Sequence, residues 1–462
     1  MQNATDTTPP SGVVELREDI PLKAGASSGE SCGTPRLIAG CFAALSAAVT
    51  IALLTQIYYG DYQLVPHGSV SSAAEACSSA GTGALKAGGR AMDAAAAAAL
   101  CLALLAPHRT SIDASGSLLY WEYHNRTARD EGPTLMEWGG PDQGSVPRLL
   151  VALAQLHARY GALPWSQVLQ PTIDLARGGY TVSRGLATAA SDAGRAGWLV
   201  NTVRADPAYA DYLETLQRNT SAELTAMWSK DANAVRFSSA LATPAGGWRF
   251  FVGGVGAASA ARALVAAIEI PFDVDEAERR VVAALVNEAH DKTSPAGGVA
   301  TGLAVVDPVD TYIALVTGLS VPFGSLPPWS VDGTGGEGSA ANARDSPAAP
   351  IDLAPAILLN ENVCGTRYVL GAESTSALAQ AAASLATSAG DELGLAIERA
   401  RVGVLPGGVL ALESAAPPSL QPLVGATVNA SLPYAAVNVV QQRGDALASH
   451  ADSRSGGLSS RF

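Results

Sequence analysis

The sequence predicts an α+β protein in which a sheet buried on both faces is covered by small-residue helices and carried on a single membrane anchor. Three observations predict it. Val299–Val306 and Thr311–Leu319 are apolar, largely β-branched runs broken by Asp307-Pro308-Val309-Asp310. Proline removes a ladder donor and aspartate favours turns, so the two runs read as a hairpin whose lack of charge suits burial on both faces. Alanine and glycine abound while only 15% of residues are charged, which suits close-packed helices rather than a disordered chain. Residues 37–59 carry no charge, and at ~1.5 Å per residue they are long enough to cross a hydrocarbon core of ~30 Å.

Residues 1–36 are polar, with Pro9-Pro10 and clustered Ser, Gly and Thr, and read as a flexible cytosolic tail. Residues 37–59 start too late and run too long for a cleaved signal peptide; a buried core helix is the alternative reading. Lys23 and Arg36 precede this run, Asp61 follows it, and no Lys or Arg appears again until Lys86. The positive-inside rule therefore predicts a single-pass type II membrane protein. Its C-terminal bulk is extracellular or luminal, with Tyr58, Tyr59 and Tyr62 at the far interface. Asn125-Arg126-Thr127, Asn219-Thr220-Ser221 and Asn429-Ala430-Ser431 are then acceptor tripeptides for N-glycosylation. The 462 residues suffice for one large or two ordinary globular units. A net charge of −13, from 42 acidic and 29 basic residues, argues against a nucleic-acid surface. The six histidines lack ligand spacing, so neither a metal nor another cofactor is expected.

Residues 71–86 read as a helix capped by Gly88-Gly89, and residues 91–105, nearly pure alanine and leucine, as a second helix ended by Pro107. Asp93 is the one charge inside the second helix and reads as a capping or packing partner. Residues 118–123 read as a strand. Residues 149–160 have apolar positions at helical spacing, which makes His157 a structural helix residue, and Trp165 after Pro164 anchors a turn of the chain. Further on come a helix at 275–290, an exposed Pro-, Gly- and Ser-rich loop at 326–349, strands at 356–360 and 368–372, and a helix at 375–389.

Gly298-Val299-Ala300-Thr301-Gly302-Leu303-Ala304-Val305-Val306-Asp307, with Phe323-Gly324-Ser325 after it, resembles the start of the small subunit of the gamma-glutamyltransferases, also called glutathione hydrolases. Gly88-Gly89-Arg90-Ala91-Met92-Asp93-Ala94-Ala95, Leu163-Pro164-Trp165, Tyr368-Val369-Leu370-Gly371-Ala372 and the terminal Asp452-Ser453-Arg454 carry the same likeness. It covers about residues 70–180 and 275–462 and fades between, where the family's long helical middle is shortened, as in the gamma-glutamyltransferase 6 branch. The resemblance implies an N-terminal-nucleophile hydrolase fold, a four-layered αββα sandwich. Residues 60–299 would match the large subunit and 300–462 the small one, within one ectodomain. It also implies a Cys77–Cys101 disulfide, with Cys32 in the tail, Cys41 in the anchor and Cys364 beyond.

The activity implied is hydrolysis or transfer of the γ-glutamyl group of glutathione or of other γ-glutamyl compounds. In the family a threonine freed as a new N-terminus attacks, with its own α-amino group as base. Two glycine amides hold the oxyanion, each such donor being worth ~3–4 kcal/mol, and an arginine clamps the substrate's α-carboxylate. Counted back from Phe323-Gly324-Ser325, the threonine's place falls on Ala300. Thr301 is the neighbour and the candidate nucleophile, but bringing it into place needs a bulge at Gly302, because a one-residue slip flips alternate side chains. The arginine's place falls on Glu137, whose carboxylate would repel the substrate's own. Glu373-Ser374-Thr375 stands where the glycine pair belongs. Glu361, Ser320, Ser374 and Thr375 are the candidate substrate-binding residues. Two functions stand: a γ-glutamyl hydrolase or transferase, and a catalytically inactive ectodomain that binds a partner. The residues favour the second. A single spanning segment argues against a channel or carrier.

Overall fold

The computed structural model describes residues 34–59, 67–140, 146–228, 235–268, 273–290, 297–326, 339–345, 351–361, 365–388, 392–413, 427–430 and 434–462. The chain forms two compact units, Met1–Gln63 and Leu64–Phe462. Helix α1 (Thr34–Tyr59) runs unbroken through the first. Its stretch Arg36–Thr55, of mean hydropathy 2.4, is the one helix among the described residues long and apolar enough to cross a membrane. Residues 1–33, Tyr62 and Cys364 lie outside the described residues.

Among the described residues of the second unit the α-helices are α2 (Glu75–Lys86), α3 (Ala91–Leu105), α4 (Arg126–Glu131), α5 (Arg148–Tyr160), α6 (Trp165–Gly178), α7 (Arg184–Asp192), α8 (Pro207–Leu216), α9 (Ser221–Trp228), α10 (Ala257–Ile268), α11 (Val274–His290), α12 (Thr375–Thr387) and α13 (Leu393–Glu398). The strands of the two large sheets are β1 (Ser69–Ser72), β2 (Ser115–Glu122), β3 (Thr134–Trp138), β4 (Arg236–Ser239), β5 (Leu241–Ala245), β6 (Trp248–Val252), β7 (Val299–Val306), β8 (Thr311–Leu319), β9 (Ala356–Asn360), β10 (Thr366–Ala372), β11 (Val437–Arg443), β12 (Ala446–His450) and β13 (Ser460–Arg461). The first sheet runs β13-β1-β7-β8-β2-β3-β4 and the second β12-β11-β10-β9-β6-β5.

Period-two alternation sorts each central strand between two cores. Leu303 and Val305 of β7, with Ile313 and Leu315 of β8, pack under α3 and α5. Ala304, Val306, Tyr312 and Ala314 face the second sheet, meeting Ile357, Val369 and Val440. The outer face of that sheet, through Phe250, Leu358, Leu370 and Val439, carries α10, α11 and α12. The order is therefore helix, sheet, sheet, helix, and β7 and β8 are covered on both faces as their composition requires. The sheets come close together at two glycines: a Cβ on Gly302 would lie 2.3 Å from the carbonyl carbon of Gly371.

Three sequence expectations change. Residues 69–72 are strand β1, and the helix expected from 71 starts only at Glu75. Ser69 to Ser72 pair with Val306 to Leu303, and a ladder against a buried strand satisfies backbone groups that a helix end would leave open. The loop expected over 326–349 is not exposed throughout: Ala341, Asn342, Ala343 and Asp345 are buried, while residues 327–338 and 346–350 lie outside the described residues. No bulge exists at Gly302, because β7 and β8 pair without a break from Leu319↔Val299 to Tyr312↔Val306. Cys77 and Cys101 are bridged, Cα to Cα 5.3 Å, tying α2 to α3.

Candidate functional site

The first residues of β7 define the mouth of the strand. Ala300 pairs with Gly318 and Thr301 with Thr317. Alternation turns the Ala300 methyl toward the second sheet, where it is buried against Val316, Ile351 and Leu353. Thr301 lies on the opposite face, shared with Leu303 and Val305. Its hydroxyl is buried with no hydrogen-bond partner, and the hydroxyl of Thr317 across the ladder is occupied by Thr110, 2.8 Å away. The unbroken register fixes this assignment. Sliding β7 by one residue to bring Thr301 into Ala300's place would put Leu303 where Gly302 is, against the backbone of Gly371.

Behind the mouth sits a buried ion pair. Arg109 Nη1 pairs with the Glu373 carboxylate and donates to the Ala300 carbonyl at 3.3 Å. Its Nε donates to His108 Nε2 at 3.3 Å. Glu373 follows β10 and also accepts from the Ala436 N–H at 2.8 Å. Burial pushes the Glu373 carboxyl up from its ordinary range, and the Arg109 charge only partly offsets this. Burial, aided by Arg109, holds His108 well below its ordinary value, so its imidazole is neutral. His108, Arg109, Glu373 and Arg454 line a cavity of about 450 Å³ beside the start of α2. A larger open groove of about 690 Å³ lies away from the mouth, between α10, α11 and β5. Among the described residues no group of His, Cys, Asp and Glu could hold a metal ion.

The structure brings three of the sequence candidates to the mouth and leaves one elsewhere. Ser320 follows β8 and donates from its N–H to Asp345 at 2.6 Å; its hydroxyl donates to the same carboxylate. Thr375 donates from its N–H at 2.9 Å, and from its hydroxyl, to Asp352, which lies between Ile351 and Leu353. Ser374 caps α12, accepting from the Ala377 N–H at 3.1 Å. All three are committed to internal partners. Glu361 was expected to reach a substrate amine, but it stands at the far end of β9, about 16 Å of strand from Ala356 at ~3.3 Å per residue, and it pairs with Arg249 on the surface. Glu137 lies in β3 opposite Ser117 and Arg236, so a basic residue faces it across the ladder. Sequence reasoning missed Arg109 and His108. The available signal was a basic pair straight after Pro107, at the end of an otherwise apolar helix.

The gamma-glutamyltranspeptidase family model matches residues 77–223 of this chain. It is a relative of the gamma-glutamyltranspeptidases. Glutathione hydrolase 7 of Homo sapiens is 34% identical over 194 residues, 38% of this chain and 29% of that protein. Glutathione hydrolase 6 of Bos taurus is 39% identical over 129 residues, 27% of this chain and 25% of that protein. The matched part thus spans 29% or less of these curated relatives' length. The crystal structure of cephalosporin acylase from Bacillus halodurans superposes with a TM-score of 0.63 over 86% of this chain and 96% of that one, at 15% identity. That likeness is one of fold alone, and the fold is the N-terminal-nucleophile hydrolase sandwich. The matched residues of the family model end before β7.

Proposed function

We propose that this gamma-glutamyltranspeptidase relative is a catalytically inactive, membrane-anchored ectodomain of type II topology, kept for binding a partner rather than for cleaving glutathione. The observation that carries this reading is the alternation of β7: Ala300, to which the resemblance gives the nucleophile's place, has no hydroxyl and packs toward the second sheet, and the neighbouring Thr301 hydroxyl is buried on the opposite face, shared with Leu303 and Val305. Further support comes from the segment of Ile351 and Leu353 packed over the mouth, from the commitment of Arg109 to Glu373, and from a carboxylate at Glu137 where the family has its clamp. Lys23 and Arg36 ahead of the apolar helix support the orientation.

A second reading, γ-glutamyl hydrolysis by a processed Thr301, is favoured only by that hydroxyl having no other partner. One experiment separates them. Full-length protein purified in detergent is run on a denaturing gel and assayed for release of p-nitroaniline from γ-glutamyl-p-nitroanilide. One unbroken chain without release is expected. Two fragments meeting at the Ala300–Thr301 bond, with a release that Thr301→Ala abolishes, overturn the inactive reading. For topology, glycan on Asn125 supports the orientation and glycan on Asn3 reverses it.

A further inference from the structure

The three acceptor tripeptides are folded in different ways. Thr220 caps α9 in a reciprocal box: its N–H donates to Glu223 Oε2 at 2.7 Å, and the Glu223 N–H donates to its hydroxyl at 3.2 Å. Ser221, the third residue of Asn219-Thr220-Ser221, is turned beneath the helix and is 6% exposed. Its hydroxyl lies 2.8 Å from His157 Nδ1 on α5. The other side of that ring is held in turn: Nε2 lies 2.9 Å from Asp93 Oδ1. Asp93 accepts the N–H groups of Arg90 at 2.7 Å and Ala162 at 2.9 Å. Trp165 packs 4.9 Å from the imidazole, and Leu224, one turn along α9, is buried in the same core. Ser221 is therefore part of the joint between α9 and α5.

Asn125-Arg126-Thr127 is the opposite case. All three residues are exposed. Asn125 caps α4 through its Oδ1, which accepts from the Thr127 N–H at 3.1 Å, and this leaves the amide nitrogen and the Thr127 hydroxyl free. Asn429 is exposed as well, but Ser431 lies outside the described residues.

N-glycosylation reads the hydroxyl two residues beyond the asparagine. The transfer forms a bond from the asparagine Nδ2 to the anomeric carbon of a lipid-pyrophosphate-linked oligosaccharide. It breaks the anomeric C–O bond, releases the lipid pyrophosphate, and passes one amide proton to the transferring enzyme. We propose that Asn219 is an acceptor only until α9 docks on α5, so that glycan addition there competes with folding, whereas Asn125 remains an acceptor in the folded chain. The proposal rests on the ectodomain being luminal. The glycan on Asn219 leaves the Ser221 hydroxyl unmodified, so chains with and without it fold alike and the competition is one of rates.

The test is site occupancy, read by mass spectrometry of the full chain from secretory cells. Asn125 is expected near full occupancy and Asn219 well below it. His157→Ala, which loosens the joint, should raise occupancy at Asn219 severalfold and leave Asn125 unchanged. A second measurement does not depend on how that variant folds. Full chain made without glycosylation and purified in detergent is given oligosaccharyltransferase and lipid-linked oligosaccharide, either native or after its disulfide has been reduced and alkylated to unfold it. The native chain should accept glycan at Asn125 alone and the unfolded chain at both sites. Equal occupancy in cells, or transfer to Asn219 in the native chain, overturns the proposal and leaves the topology standing. Absence of glycan from both sites in cells overturns the luminal placement and the proposal with it, whatever the anilide assay reads.

Discussion

Restoring a threonine at residue 300 asks whether the strand mouth is closed by packing or merely lacks a hydroxyl. The Ala300 methyl is buried against Val316, Ile351 and Leu353, and its carbonyl is held by Arg109. Threonine adds a methyl and a hydroxyl to a space those side chains already fill. Overpacking of this kind costs about 1–3 kcal/mol, and a buried hydroxyl without a partner about 1–3 kcal/mol more. Ala300→Thr should therefore destabilise the fold by about 2–6 kcal/mol. Urea unfolding of the full chain in detergent, followed by tryptophan fluorescence, would register this as a lower midpoint at unchanged slope. On the proposed inactive reading the variant should also remain one chain, inactive on γ-glutamyl-p-nitroanilide, because it leaves the Glu137 carboxylate and the Arg109–Glu373 pair in place. A variant as stable as the wild type that cuts itself ahead of residue 300 would show that the mouth is open, and the packing argument would fail.

Other perturbations follow from the same geometry. Gly302→Ala should cost more than about 3 kcal/mol, the upper range for ordinary overpacking, since the obstacle 2.3 Å away is backbone of the second sheet; the urea midpoint reads it. Thr301→Ala should change stability by less than about 1 kcal/mol, because the hydroxyl it removes has no partner to orphan. Replacing Cys77 and Cys101 together by serine should cost about 3.5 kcal/mol from the loop-entropy relation for a separation of 24 residues, measured against the wild type without reductant. His108 predicts a pH dependence. Its folded pKa lies below the ordinary 6.5, so the unfolded chain takes up the proton first as pH falls. The stability held by the neutral ring is full above 6.5 and is lost as pH falls through the folded value, at no more than about 1.4 kcal/mol per pH unit. Glu373 acts with the opposite sign: its raised pKa favours the fold as pH falls toward the ordinary carboxyl value. The diagnostic is thus the difference between wild type and His108→Gln, and equal slopes in the two would refute the assignment.

The local pattern was enough to find the apolar membrane-length helix, the hairpin of β7 and β8, and helices α3, α5, α11 and α12. In each, composition and periodicity carry the signal within a dozen or so neighbours. The tetrapeptide Ser69-Val70-Ser71-Ser72 carries no such signal, and only its pairing with Val306 to Leu303 makes it a strand. That residue 300 can supply no hydroxyl nucleophile was also legible, because alanine has none in any fold. The sequence left open whether Thr301 takes its place.

That question depends on which face of β7 meets the second sheet, and the answer lies in Gly302 touching Gly371 and in Ala300 meeting Ile351 and Leu353. The same holds for the mouth's charges. Arg109 lies in the turn after α3 and Glu373 follows a strand far along the chain, and nothing local announces that they pair. Glu361, beside an asparagine-ended strand, looked placed for a ligand and stands instead at the distant turn. The sequence by itself determined the elements and the chemical groups available, since those depend on residues close in the chain. Only the tertiary structure decided which groups face one another, since a strand's alternation offers two faces and the choice between them is made by the layer that packs against it.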